Sequence, residues 1–252
     1  MIPIVVSIGT THPWNIAGLG LDAQVAREFG ARSVAVIVGV TAQDERGLHA
    51  KFALPAEIVR AQLAALPRQQ IGSLRIGALF DEANVREIAS FLQTHRDVPA
   101  VVDPVFEATL GGMFGDNASF IAFHACMFET PIILTPNLSE ASRLLNRPIE
   151  TVDEMIAAAH ALQRIGARDV LIKGGHLAGD PIDVLVTGDE TKVFKDARLP
   201  GSMRGTGCTL AAALACELAR GLPIVPAVES ARAFVRAKIA AQNTVGPLQV
   251  AF

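Results

Sequence analysis

Apolar residues in this chain come in short strand-like runs separated by stretches with helical spacing. Residues 2–8 form a continuous apolar run of the kind carried by a strand covered on both faces, and it ends at Gly9-Thr10-Thr11-His12-Pro13, a predicted loop. Residues 17–30 then show helical spacing closed by glycine, and residues 33–40 form a second apolar strand. Residues 41–47 are polar and turn-like, residues 49–54 fit a short extra strand on an edge or in a small flap, and Pro55 opens a helix to about residue 66.

The same alternation continues. Strands are predicted over residues 74–78, 100–102, 132–134 and 169–173, and helices over 81–95, 117–128, 138–145 and 152–165, with Asp81 and Thr151 as caps and Gly166 as a stop. Residues 182–187 and 192–197 form a predicted hairpin around Gly188-Asp189, and helices follow from Thr206 and over 225–242. Strands and helices at this spacing predict one domain over residues 1–252, a three-layer α/β/α sandwich around a mostly parallel sheet, without linker or repeat. In such sheets ligands bind outside the carboxyl ends of the strands, where Gly9-Thr10, Asp103-Pro104, Asn137, Lys173-Gly174-Gly175 and the segment before the Thr206 helix gather.

Composition narrows the partners. Half of the 252 residues are apolar, the net charge is −3, and no run of like charge argues for nucleic acid. Cys126, Cys208 and Cys216 are odd in number and lack metal-ligand spacing. The opening MIPIVVSIG has no basic region before its apolar run, and no stretch approaches the roughly 20 apolar residues that span a bilayer, so a reduced cytoplasmic setting without membrane contact is expected.

Candidate chemistry lies in the loops. Arg204-Gly205-Thr206-Gly207-Cys208-Thr209 runs into an alanine-rich helix, so its backbone N–H groups form either an anion cradle at a helix N-terminus or an ordinary glycine turn. Cys208 in that first turn is placed where a helix dipole favours thiolate. Asp103 sets a carboxylate at a strand end or simply turns the chain, while Asn137 and Glu140 can hold a hydrated magnesium ion or form a capping box. Lys173 before two glycines is a cation where phosphate can approach, or plain surface. Together these are the parts of phosphoryl transfer, although no Walker-type P-loop is present.

DPV at Asp103-Pro104-Val105, TPNLSEA from Thr135, LIKGGH from Leu171 and GTGCTLAAALA from Gly205 resemble the hydroxymethylpyrimidine and phosphomethylpyrimidine kinases of thiamine synthesis, members of the ribokinase-like superfamily. The motifs keep that family's order over essentially the whole chain. The resemblance implies ATP and Mg2+ as cofactors. It places an anion hole at Gly205, Thr206, Gly207 and Cys208, the nucleotide phosphates at Lys173, Gly174, Gly175, Asn137 and Thr206, and the metal at Asp103, Glu140 and Asn137. It also implies that Asp22 and Gln43 hold the pyrimidine, that Gly9 lies against its ring, and that Ala78, Val105 and Cys208 line the same side. His176 follows the family and is read as structural.

The chain departs from that pattern in its first loop, where Thr11 to Gly18 lack the family's Asp and Ser-Gly-Gly. It also departs after Val105, where Phe106-Glu107-Ala108-Thr109-Leu110-Gly111 lack a lysine, at Ala78, where methionine is usual, and at Arg204, which replaces histidine. Trp14 in the rewritten loop is either a plug over the core or a stacking wall for a ring, and His12 either meets phosphate or is solvated. The expected activity is ATP-dependent phosphorylation of 4-amino-5-hydroxymethyl-2-methylpyrimidine and/or its monophosphate. Phosphorylation of pyridoxal or pyridoxine, or binding without transfer, are the competing readings. A homodimer sharing the flap at 49–54 is expected.

Overall fold

A computed structural model describes residues 2–67, 70–108, 111–175, 177, 179–201, 203–241, 243–245 and 248–252; His176, Thr109, Leu110 and Gln242, named above, lie outside them. Among the described residues one nine-stranded sheet runs in the order β3-β2-β1-β4-β5-β6-β7-β8-β9. Its parallel strands are β1 (Ile4–Thr11), β2 (Arg32–Asp44), β4 (Ile71–Ile76), β5 (Ala100–Val102), β6 (Ile132–Leu134) and β7 (Asp169–Gly174). Antiparallel β3 (Gly47–Ala53) closes one edge, and β8 (Ile182–Thr187) with β9 (Glu190–Lys195) closes the other.

Alternation within the buried strands creates the two outer layers. Val6, Val102, Leu134, Ile172 and Val186 face the layer of α2 (Ala56–Ala64), α3 (Glu82–Gln93), α4 (Asn117–Cys126), α5 (Leu138–Leu145) and α6 (Val152–Ile165). Val5, Val101, Ile133, Leu171 and Leu185 face α1 (Gly18–Glu28), α7 (Thr206–Ala219) and α8 (Ile224–Ala241). The alanine-rich α7 is buried almost all round, and its small side chains let it sit tightly on the sheet: a β-carbon at Gly72 of β4 would stand 2.9 Å from Ala219 Cβ.

The predicted architecture is therefore realised, with local corrections. Gly9-Thr10-Thr11 is not loop but the end of β1, carried past a register shift that pairs Thr10 with Gly39 and Thr11 with Val40. The polar residues 41–44 belong to β2, because on an edge hairpin one face is free to be polar; Gln43 pairs with Leu48 of β3. Helices α2 and α3 stop at Ala64 and Gln93, short of the expected ends, and Met127–Glu129 tightens into a 3-10 turn after α4. An unpredicted hairpin, β10 (Asn243–Val245) with β11 (Leu248–Val250), follows α8, and its Val250 packs on Ile16 of the first loop.

Candidate active site

The carboxyl ends of the parallel strands and the start of α7 meet on one side of the sheet. Gly205 forms the entrance to α7 with φ 77, and a β-carbon there would run into the Ile16 carbonyl, so glycine is required by both conformation and space. No side chain caps this helix, which leaves the first-turn N–H groups of Thr206, Gly207 and Cys208 directed at whatever sits before it. Gly207 is the closest approach to the cation opposite: a β-carbon there would lie 3.1 Å from Lys173 Nζ.

Lys173 is set by two contacts. Its N–H donates to the Pro136 carbonyl at 2.8 Å, which fastens the end of β7 to the Asn137 turn, and its Nζ donates to Asp103 Oδ1 at 2.7 Å. Burial works against its charge, but Asp103 and Glu140 more than offset this and its pKa is raised, so it stays an ammonium. Asn137 and Glu140 form the capping box of α5: Asn137 Oδ1 accepts from the Glu140 N–H at 2.9 Å, and Glu140 Oε2 accepts from the Asn137 N–H at 2.7 Å. Burial, with Asp103 adding to it against the pull of Lys173, pushes the Glu140 carboxyl up to about 7.

Asp103 Oδ2 accepts from Arg75 Nη2 at 3.3 Å, and Arg75 Nε stands 3.5 Å from Asp22 Oδ1. These three side chains are almost entirely buried. Burial raises the Asp22 pKa to about 6; Arg75 opposes the rise and Asp103 adds to it. Burial likewise pushes the Cys208 thiol up, reinforced by Asp103 and Asp22, and Arg75 and the Gly18 backbone offset only part. The thiolate expected from the helix dipole is thus corrected to a neutral thiol, because desolvation in the folded site outweighs the dipole.

The substrate-side residues divide in two. Asp22, Cys208 and Gly9 gather around Arg75: a β-carbon at Gly9 would lie 3.9 Å from Arg75 Nη1, and Cys208 bears on the Arg75 charge. Gln43 is half-buried in the edge hairpin, where its Nε2 donates to Thr41 Oγ1 at 2.9 Å. Ala78 and Val105 belong to a small apolar cluster with Phe80, Phe114 and Leu48. Trp14 is 39% exposed, so it is not sealed inside the core. His12, read as meeting phosphate or as solvated, is instead buried with no close hydrogen bond to either ring nitrogen; burial, helped by Arg204, lowers its pKa against a weak interaction with the Ala17 backbone.

The family model described as phosphomethylpyrimidine kinase matches residues 15–251. The chain belongs to the phosphomethylpyrimidine kinase family. It is 34% identical over 247 residues to the hydroxymethylpyrimidine/phosphomethylpyrimidine kinase of Streptomyces coelicolor, covering 97% of this chain and 91% of that protein. The crystal structure of phosphomethylpyrimidine kinase from Clostridium difficile 630 superposes with a TM-score of 0.83 at 27% identity, covering 94% of this chain and 99% of the other. An ADP complex of Bacillus subtilis pyridoxal kinase superposes with a TM-score of 0.88 at 25% identity, covering 98% and 95%.

Two residues outside the motifs also help to shape the candidate site of this family member. Arg75 was missed; its signal was a charge at an interior position of the strand Leu74-Arg75-Ile76, where only a paired group is tolerated. Arg198 holds the glycine segment after Lys173 through carbonyls, Nη1 to Gly175 at 3.1 Å, Nη2 to Leu177 at 2.8 Å and Nε to Gly179 at 2.7 Å. Nothing local in the sequence around Arg198 marks it.

Among the described residues no three acidic, histidine or cysteine side chains converge as a metal cage. Both Asp103 oxygens are already taken by Lys173 and Arg75. That sparse donor set fits Mg2+, which keeps several waters and takes one or two carboxylates plus phosphate oxygens.

Proposed function

We propose that the protein is an ATP- and Mg2+-dependent kinase acting on 4-amino-5-hydroxymethyl-2-methylpyrimidine and/or its monophosphate. The observation that carries this reading is the placing of Lys173 Nζ beside the uncapped start of α7, 3.1 Å from where a Gly207 side chain would begin, while Asp103 holds it. Family membership supplies the substrate class. Lys173 and the N–H groups of Thr206, Gly207 and Cys208 grip the transferring phosphoryl group, with Gly174, Gly175 and Asn137 beside the nucleotide phosphates. Mg2+, held by Glu140 and Asn137 with Asp103 behind them, would supply charge neutralisation on those phosphates.

Asp22 and Gln43 bind the polar edge of the pyrimidine, Gly9 and Trp14 lie against its faces, and Ala78 and Val105 close its apolar side. The alcohol oxygen bonds to the γ-phosphorus as the bond to the β–γ bridging oxygen breaks; ADP leaves with that oxygen, and the alcohol proton passes late to an oxygen of the transferred phosphoryl group and from there to solvent. In a loose transition state little proton removal is needed early, so the neutral thiol of Cys208 orients the alcohol by hydrogen bonding rather than as a strong base. A reduced cytoplasmic setting accords with three free thiols, and the exposed pair Val40 and Phe52 on the β2–β3 edge is the surface a homodimer would share.

The structural likeness to pyridoxal kinase favours a second ring as comparator. ADP release with the pyrimidine alcohol, its monophosphate and pyridoxal tests the reading. The expected result is a higher kcat/KM for the pyrimidines; preference for pyridoxal would move the assignment, and ring binding without ADP release would make the protein a binding relative.

A further inference from the structure

Resting on the kinase reading, we infer that Arg75 is a positioning residue that ties Asp22, on the acceptor side, to Asp103, on the nucleotide side. One guanidinium thereby sets the two halves of the site against each other.

The strand's own alternation puts it there. Leu74 and Ile76 face the α2–α6 layer, while Ser73 and Arg75 face α7, where Ser73 Oγ donates to the Ala215 carbonyl at 2.7 Å. An apolar side chain would fill this position at less cost, since a buried charge is expensive unless paired and pairs of this kind are often replaceable without loss of stability. The backbone around it has been cleared instead. A β-carbon at Gly77 would meet Arg75 Nη1, so glycine at the strand end leaves the guanidinium its place.

The pairing is unequal in a useful way. With Asp103 the guanidinium makes a hydrogen bond at 3.3 Å, and Lys173 holds the other Asp103 oxygen at 2.7 Å. With Asp22 it makes only an ion-pair approach of 3.5 Å, and neither Asp22 oxygen nor Arg75 Nε has a hydrogen-bond partner. Asp22 is therefore held mainly by the Arg75 charge; the neighbouring Ser7 hydroxyl also favours its ionised form, and no close hydrogen bond uses up its oxygens. A planar, forked cation reaches two carboxylates at once, which a lysine ammonium does less well.

Calorimetric titration of wild type, Arg75→Met and Arg75→Lys would test this, first with 4-amino-5-hydroxymethyl-2-methylpyrimidine alone and then with ATP at increasing Mg2+. Leu74→Ala, on the opposite face, serves as the control for destabilisation alone. Arg75→Met is expected to lower ring affinity at least tenfold and to raise the Mg2+ needed for half-maximal ATP binding, with Leu74→Ala moving neither. Arg75→Lys, read in the same way if the methionine variant does not fold, should show both shifts in smaller degree. A folded variant with wild-type values, or a shift in only one of the two, would overturn the tie. Because both readouts are binding, failure of the kinase reading appears separately, as wild-type ring binding without ADP release.

Discussion

Lys173 and Gly207 face each other across the mouth of the site, with 3.1 Å between the ammonium nitrogen and the place where a β-carbon on Gly207 would stand. Under the kinase reading proposed above, a side chain at Gly207 would stand where phosphate oxygens meet Lys173. Gly205, two residues earlier, is needed for a different reason: its backbone is left-handed and its α-hydrogen points at the Ile16 carbonyl.

The two glycines should accordingly fail in different ways. Gly207→Ala lies inside α7, where alanine is the better helix former by about 1 kcal/mol, so its Tm should hold or rise while kcat/KM for ATP falls on the order of tenfold or more. Gly205→Ala should instead lose stability by about 1–3 kcal/mol or more through backbone strain and collision. Thermal melts beside steady-state kinetics separate the two; a Gly207→Ala enzyme with unchanged ATP dependence would remove the cradle.

Lys173→Met keeps the length of the side chain and deletes its charge. Asp103 retains Arg75 as partner at 3.3 Å, so the fold should survive, but the KM for ATP should rise about tenfold or more, the scale of one charge-assisted phosphate contact. An ATP titration indistinguishable from wild type would show that Lys173 serves only Asp103.

Cys208→Ala should lower kcat by about tenfold, the scale of one lost neutral hydrogen bond to the alcohol, and leave the KM for ATP close to wild type. Its neutral thiol also predicts a labelling order. Cys126 and Cys208 are both partly exposed, but burial around its sulfur raises the Cys208 pKa, so Cys126 should alkylate first, Cys208 more slowly, and buried Cys216, whose pKa burial pushes up to about 12, last. Mass spectrometry of time-resolved iodoacetamide labelling checks this, and a fast-reacting Cys208 would contradict the site as described.

Asp22 gives stability a pH dependence. Burial raises its folded pKa to about 6, whereas the unfolded carboxyl titrates near ~3.9, so the folded state binds this proton more tightly. Its contribution is fully present below the unfolded value and is lost as the pH climbs through about 6. Relative to wild type, Asp22→Asn should therefore gain in Tm as melts are moved from about pH 4 to about pH 7. A difference that stays flat with pH would mean that Asp22 is not held as the structure shows.

Much of this was legible before the fold was known, for reasons that differ by residue. Strands such as 100–102 and 132–134 matched because both faces are buried and every position is apolar. The Asn137–Glu140 capping box follows from residue types three apart and is present. Edge segments such as 41–44 resisted, since one solvated face permits the polar residues that otherwise mark a turn. His12 and Arg75 were not placed because the burial of a polar side chain is decided by elements distant in sequence: Arg75 by α1 and the turn after β5, His12 by the chain around Ala17 and Arg204. Cys208 lies in the first turn of α7 as its sequence context suggests, but its protonation depends on desolvation that no local motif carries.

The small hairpin after α8 bears on how the mouth of the site is held together. Gln249 accepts from the Arg204 N–H at 2.9 Å just ahead of the α7 entrance, and Val250 packs on Ile16 in the first loop. Both contacts come from residues that follow all nine strands of the sheet. The first loop and the entrance of α7, far apart in sequence, are thus joined by a third segment, so shortening this hairpin is expected to loosen the mouth of the site before it disturbs the sheet.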